Sequence, residues 1–180
     1  MLMGSEQPKP ASLPLQGRVR AVAIAAAVIV LTTLVPYLML VNVLFLGIFL
    51  AGLLSVYYAV IAFQVRLSYN EAFFLGGSGG FVGGVVSELG SYLLIELAGY
   101  RPGTETVLLL REWFLSMSGG DPELKEYVTR EFAAQLAPVK PTLLGLFLGT
   151  VELAMICSAV AGLGGMLIVF ILKRQASRGR

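Results

Sequence analysis

The sequence predicts an all-α, polytopic membrane protein with four transmembrane helices and two amphipathic helices between the third and fourth spans. Three observations support this fold class. Of the 180 residues, 57% are hydrophobic and only 13% are charged, about half of the roughly 25% found in soluble domains. No charged residue occurs from Ala21 to Val65. The charges that do occur cluster at the ends of the apolar segments, as expected where helices leave a bilayer.

The first two spans are predicted from the length of the uncharged run. As one helix it would be about 67 Å long, roughly twice the thickness of a hydrocarbon core. It must therefore fold back, and the turn is expected between Pro36, which ends a helix, and Asn42, which tolerates a turn. The predicted spans are Arg18–Tyr37 and Asn42–Gln64. Residues 1–17 form a polar tail, and the first span is too long for a signal-peptide core.

The third span completes the segment 18–98, which holds three transmembrane helices. Glu71 opens this apolar run, which continues to about Ala98. Asn70 is the expected N-cap, and Glu71 suits the positive end of the helix dipole. Gly99 is expected to end the helix.

The fourth span is predicted over residues 141–172, with Pro141 in the first helical turn. Residues 173–180 follow as a basic tail. A span of about 30 residues exceeds the roughly 20 needed to cross a bilayer. We therefore expect this helix to tilt or to emerge from the membrane.

Residues 99–140 form a polar insertion with helical periodicity. Gly119 and Gly120 separate two amphipathic helices, the second with Asp121 as N-cap and Pro122 at its first position. One face of the first helix is apolar and carries Val107, Leu110, Trp113, Phe114 and Met117. The insertion is expected to cover the end of the bundle. The alternative is that it binds lipid or docks a partner.

Basic residues predict the orientation, because short cytoplasmic loops carry the excess of lysine and arginine. They lie before span one, between spans two and three, and after span four: Lys9, Arg18, Arg20, Arg66, Lys173, Arg174, Arg178 and Arg180. Both termini are therefore expected in the cytoplasm, with residues 99–140 outside. The expected location is the plasma or inner membrane, as a multi-pass protein.

Several kinds of chemistry are excluded by composition. The chain has no histidine and one cysteine, Cys157, so neither an imidazole or thiolate metal site nor an intrachain disulfide can form. No cofactor or metal is expected. A net charge of +2 gives no reason to expect nucleic-acid binding. Without a base to activate Cys157 or Ser158, the chain is not expected to be an enzyme.

Glycines mark the expected helix-packing faces. In lipid, small residues spaced by four allow two backbones to approach closely. Such series occur in spans three and four, at Gly76, Gly80 and Gly84, at Gly79 and Gly83, and at Gly145 and Gly149. A phosphate-binding loop is the alternative, but the segment lacks the required lysine. Helix packing is therefore the preferred interpretation.

Two glutamates, Glu88 and Glu152, lie inside apolar spans and form the candidate site. A carboxylate there costs about 2.5–3.5 kcal/mol on insertion scales, so each should face protein or a cavity. Both lie about 15 Å below the same predicted surface. They could then meet and share a proton, as in a proton or cation relay. The alternative is that they only form hydrogen bonds between helices, which is the preferred interpretation.

The runs Val41–Gly47 and Gly76–Gly84 resemble those of uncharacterised small prokaryotic four-span membrane proteins, over about Leu34 to Ser91. The resemblance implies the architecture and assigns no site residue. From the residues, the expected function is that of a non-enzymatic accessory or scaffolding subunit, surrounded by membrane lipid and bound to copies of itself or to a membrane protein partner. The alternative is a small oligomeric proton- or ion-coupled channel or transporter that uses Glu88 and Glu152.

Overall fold

The computed structural model describes residues 13–136 and 142–178. Within these ranges the chain is helical and contains no strand. Its six α-helices are α1 Leu15–Leu34, α2 Leu46–Phe63, α3 Tyr69–Ala98, α4 Thr104–Met117, α5 Pro122–Leu136 and α6 Leu143–Arg178. By length and composition, α1, α2, α3 and α6 could each cross a membrane. The all-α class and the four long apolar helices are thus as predicted.

The turn between α1 and α2 is longer than predicted. A short 3₁₀-helix, Leu38–Asn42, follows α1, and α2 begins at Leu46 rather than at Asn42. The Asn42 amide donates a 3.0 Å hydrogen bond to Thr32 Oγ1, which fastens the turn to the end of α1. Asn42 therefore stabilises the turn and does not begin the next helix.

The start of α3 corrects the predicted cap. The N-cap is Ser68, not Asn70, which lies in the first helical turn. Ser68 Oγ accepts from the Glu71 amide at 3.2 Å, and the Glu71 carboxylate accepts from the Ser68 amide at 2.8 Å. This reciprocal pair is a capping box, which satisfies two amides instead of the one that Asn70 would have reached. At the other end, Gly99 adopts φ +62° and ends the helix as predicted.

The amphipathic helices α4 and α5 form a hairpin. Gly119 and Gly120, both at positive φ, separate them, and Asp121 Oδ1 accepts from the Glu123 amide at 2.9 Å as the predicted N-cap. In the described part of the chain the two helices pack on each other and not extensively on the long helices. The expectation that they cover the end of the bundle stays a prediction.

The link from α3 to α4 supplies a local anchor for this hairpin. The Tyr100 hydroxyl donates a 3.1 Å hydrogen bond to Glu105. Partial burial, and then this bond to an anionic carboxylate, raise the pKa of the Tyr100 phenol. Tyr100 therefore remains a neutral donor at the base of α4.

The long helix α6 lies between α2 and α3, and α3 also packs on α1. The centre of the bundle is built from small and branched side chains, including Ala25, Ile29, Cys157 and Ala161. Thr142 precedes α6 and caps it, with its hydroxyl accepting from the Gly145 amide at 3.0 Å. The predicted first residue, Pro141, lies outside the described residues. The helix does not end at Leu172 but continues to Arg178, the last described residue, so residues 173–178 of the predicted basic tail belong to α6.

Candidate functional site

One glycine stripe of α3 faces α6. Gly76, Gly80 and Gly84 are buried, and a Cβ added to Gly84 would lie 2.7 Å from the Cα of Ala154. At Gly80 it would overlap the backbone carbonyl of Cys157. The two helix backbones are therefore in direct contact, which only residues without side chains allow.

The second glycine stripe of α3 faces a different helix. A Cβ on Gly79 would lie 2.5 Å from the Ala25 Cβ of α1, and one on Gly83 would lie 2.9 Å from the Ile29 Cβ. Successive residues are rotated by about 100° around a helix, so the two glycine stripes lie on different faces of α3. One stripe contacts α6 and the other contacts α1. α3 is consequently the central helix of the bundle.

Glycines of α2 and α6 complete the packing and were missed by the sequence analysis. A Cβ on Gly52 would overlap the Ala161 carbonyl, and one on Gly164 would overlap the Phe49 carbonyl. A Cβ on Gly165 would lie 2.5 Å from the Ala72 carbonyl oxygen. The cluster of glycines at 162, 164 and 165 was visible in the sequence, but it lacks the four-residue spacing that was sought.

Two glycines, Gly145 and Gly149, were predicted to pack span four against another helix. Gly145 makes no such contact within the described residues. It is exposed, and an added Cβ would meet only the hydroxyl of its own N-cap, Thr142, at 3.0 Å. The reason is that α6 contacts its neighbours mainly beyond Ala154. Gly149 is half-buried, and a Cβ there would lie 2.9 Å from a carboxylate oxygen of Glu88.

Glu88 reaches across from α3 to α6. It is half-buried, and its carboxylate occupies the space that a side chain at position 149 would take. It follows the glycine stripe one turn beyond Gly84, as its spacing predicts. The absence of a side chain at Gly149 therefore leaves room for this carboxylate and does not bring two helix backbones together.

Glu152, unlike Glu88, is not covered by the other described helices of this chain, so the expectation that it faces protein or a cavity stays a prediction. It is exposed, because it lies about 160° around α6 from Ala154, which faces α3. Within the described ranges no hydrogen bond joins it to Glu88. The equal depth expected from the sequence stays a prediction, and that expectation did not include the direction of the side chain around the helix. In the described residues the two glutamates are therefore not a hydrogen-bonded pair.

Cys157 is free and buried where α6 meets α3. Its position agrees with the expected role as a small packing residue. Among residues 13–136 and 142–178, no cluster of three histidine, cysteine, aspartate or glutamate side chains is placed to hold a metal ion. The chain matches no protein-family model, no curated protein and no solved structure. Its function is accordingly inferred from the positions of Glu88, Glu152 and the charged helix ends.

Proposed function

We propose that this chain is a non-enzymatic membrane bundle that acts as an accessory or scaffolding subunit, and that the α6 face bearing Glu152 binds a membrane-spanning helix of its partner. The exposed carboxyl of Glu152 is the observation that carries the proposal. It lies within the apolar part of α6, among the exposed side chains Leu148, Val151 and Met155. Facing hydrocarbon alone, a carboxylate would cost about 2.5–3.5 kcal/mol on insertion scales. A partner group would remove much of this cost.

The chemistry of the partner follows from the charge of Glu152. A carboxylate in a membrane is best paired with lysine, arginine or a hydrogen-bond donor on a facing helix. This chain has no basic residue from 67 to 100 or from 142 to 172. A second copy related by a twofold axis would bring another Glu152 to the same place. A different membrane protein is therefore the better occupant.

Photocrosslinking in native membranes tests this proposal. A photoreactive amino acid at Met155, whose side chain is 64% exposed, should give an adduct with one other membrane protein. The same group at Phe81, 51% exposed on α3, is the matched control and should give little adduct. Glu152→Leu should abolish the Met155 adduct. An adduct of only twice the chain's own mass would contradict the accessory-subunit proposal, as would an adduct that survives Glu152→Leu.

The proposed topology has both termini in the cytoplasm and the α4–α5 hairpin outside. Its support is the excess of basic residues at one end of the four long helices. In a Cys157→Ala background, Ser116→Cys on α4 should react with an impermeant maleimide added to intact cells. Ser177→Cys, also exposed, should react only after permeabilisation. The reverse pattern would overturn the orientation and leave the helix bundle itself unaffected.

An oligomeric proton- or ion-coupled channel is the second candidate, favoured by the half-buried Glu88 within α3. An accessory subunit predicts that vesicles containing the purified protein acidify no faster than protein-free vesicles under a potassium diffusion potential. A channel predicts faster acidification that Glu88→Gln abolishes, because the amide keeps the shape of the side chain but cannot titrate. A pH-sensitive dye inside the vesicles distinguishes the two results.

A further inference from the structure

A cavity of about 490 Å³ lies between the α2–α3 link and the last turns of α6. It is lined by Arg66, Leu172, Lys173, Ala176 and Ser177. Two of these side chains are cationic and two are apolar. The cavity therefore combines positive charge with an apolar wall at the point where α6 changes from apolar to basic.

The position of Arg66 is set by its neighbours. The link from 65 to 68 is non-helical, and its side chains alternate between the core and the surface. Val65 and Leu67 are 4% and 8% exposed and belong to one core cluster with Ile168 and Val169 of α6. Because both neighbours are buried, Arg66 is directed outward beside the end of α6.

Lys173 is placed by a contact with α3. Its ammonium lies 4.1 Å from the centroid of the Tyr69 ring, a favourable cation–π distance that leaves hydrogen-bond donors available. Within the ranges that the structure describes, neither Arg66 nor Lys173 forms a salt bridge. The Ser177 hydroxyl already donates to the Arg174 carbonyl at 2.8 Å. The two cations are thus the groups that an anion would meet.

The charge of this end of the bundle favours an anionic headgroup over a zwitterionic one. The described residues here include six cations, Arg18, Arg20, Arg66, Lys173, Arg174 and Arg178, and one acid, Glu71. Glu71 is held by the Ser68 cap. A zwitterionic headgroup also carries a cation, and no free carboxylate among these residues could form an ion pair with it. An anionic phosphodiester satisfies the arginine and lysine without that penalty.

We propose that this cavity binds the headgroup phosphate of an anionic phospholipid, with Arg66 and Lys173 as its ligands and Leu172 beside its acyl chains. Basic pockets between membrane helices at the cytoplasmic side are suited to such headgroups. The site rests on the membrane crossing proposed above, but it does not depend on the partner helix at Glu152. Loss of one interaction therefore leaves the other measurable.

Native mass spectrometry of the full-length protein in mild detergent tests the site. With equal amounts of phosphatidylglycerol and phosphatidylcholine, the phosphatidylglycerol adduct should predominate. Each cation near an anionic membrane surface contributes roughly a fivefold effect, so Arg66→Gln with Lys173→Gln should weaken phosphatidylglycerol binding roughly 25-fold. Lys125→Gln with Arg130→Gln, which removes two exposed cations of α5, should leave it unchanged.

Further variants show whether a loss of binding comes from misfolding or from loss of the site. A competition experiment shows whether the site binds lipid or free phosphate. Arg66→Lys with Lys173→Arg keeps both charges and should retain most of the phosphatidylglycerol binding. If the double glutamine variant elutes as an aggregate, Lys173→Gln alone should show the roughly fivefold loss. Excess inorganic phosphate should not displace the lipid. Equal binding of both lipids, undiminished binding to the variants, or displacement by inorganic phosphate would overturn the proposal.

Discussion

Gly80→Leu is expected to separate α3 from α6. The Cβ of any residue at this position would overlap the backbone carbonyl of Cys157, and it would also lie 2.9 Å from the Ala161 Cβ. Overpacking a core typically costs about 1–3 kcal/mol when side chains can move. A helix backbone yields less readily than a side-chain tip. We therefore expect the free energy of unfolding to fall by about 3 kcal/mol or more.

Cys157 provides a local readout for this change. Its thiol is buried in the core, and its backbone carbonyl lies against Gly80 of α3, so a thiol-reactive dye in mild detergent reports when the bundle opens at this place on heating. Gly80→Leu should lower the temperature of dye incorporation substantially. Gly145→Leu, the same substitution at an exposed position of α6, should change it little. Equal incorporation temperatures for both variants would contradict the observed α3–α6 contact.

Gly83→Leu refines the same experiment. It introduces the same side chain three residues away, but against Ile29 of α1. It should destabilise the bundle mainly at the contact between α3 and α1. A clear order of dye accessibility, with Gly80→Leu reacting first, would distinguish the two glycine stripes. No such order should be found if both stripes contact α6.

Composition and periodicity predicted the helices better than they predicted their ends. A run of apolar residues is sufficient to predict a long helix, because every backbone group must then bond within its own segment. Caps depend on which of several polar residues reaches the first turn. Ser68 rather than Asn70 caps α3, since only Ser68 stands three residues before Glu71 and forms the reciprocal pair with it.

The candidate site was predicted less completely than the helices. The position of a residue along a span follows from the sequence, but the side of the helix that is buried depends on how the helices pack. The sequence predicts comparable depths for Glu88 and Glu152, but only the packing of α6 decides which of its faces is covered. That packing is centred on Ala154, Cys157 and Ala161, and alanine and cysteine are not distinctive in an apolar span. The exposed position of Glu152 could therefore not be read from the sequence.

Ala161 is the residue of α6 whose enlargement should affect the most contacts at once. It is fully buried, and its backbone carbonyl meets both Gly52 of α2 and Gly76 of α3. Its Cβ lies against Gly80. Ala161→Leu adds atoms where α6 lies between two helices, so neither neighbour can move away without losing its own packing. We expect the loss of unfolding free energy to equal or exceed that of Gly80→Leu.

Ala159→Leu is the matched control, because it makes the same change two residues away on the exposed side of α6. Thermal unfolding in mild detergent should then show a small shift for Ala159→Leu and a large one for Ala161→Leu. The two core substitutions share one contact, so their combined effect should be smaller than the sum of the single effects. Once the first leucine has separated α3 from α6, the second has less packing left to disrupt. Full additivity would indicate that Gly80 and Ala161 act at independent places, and would contradict the contact between them.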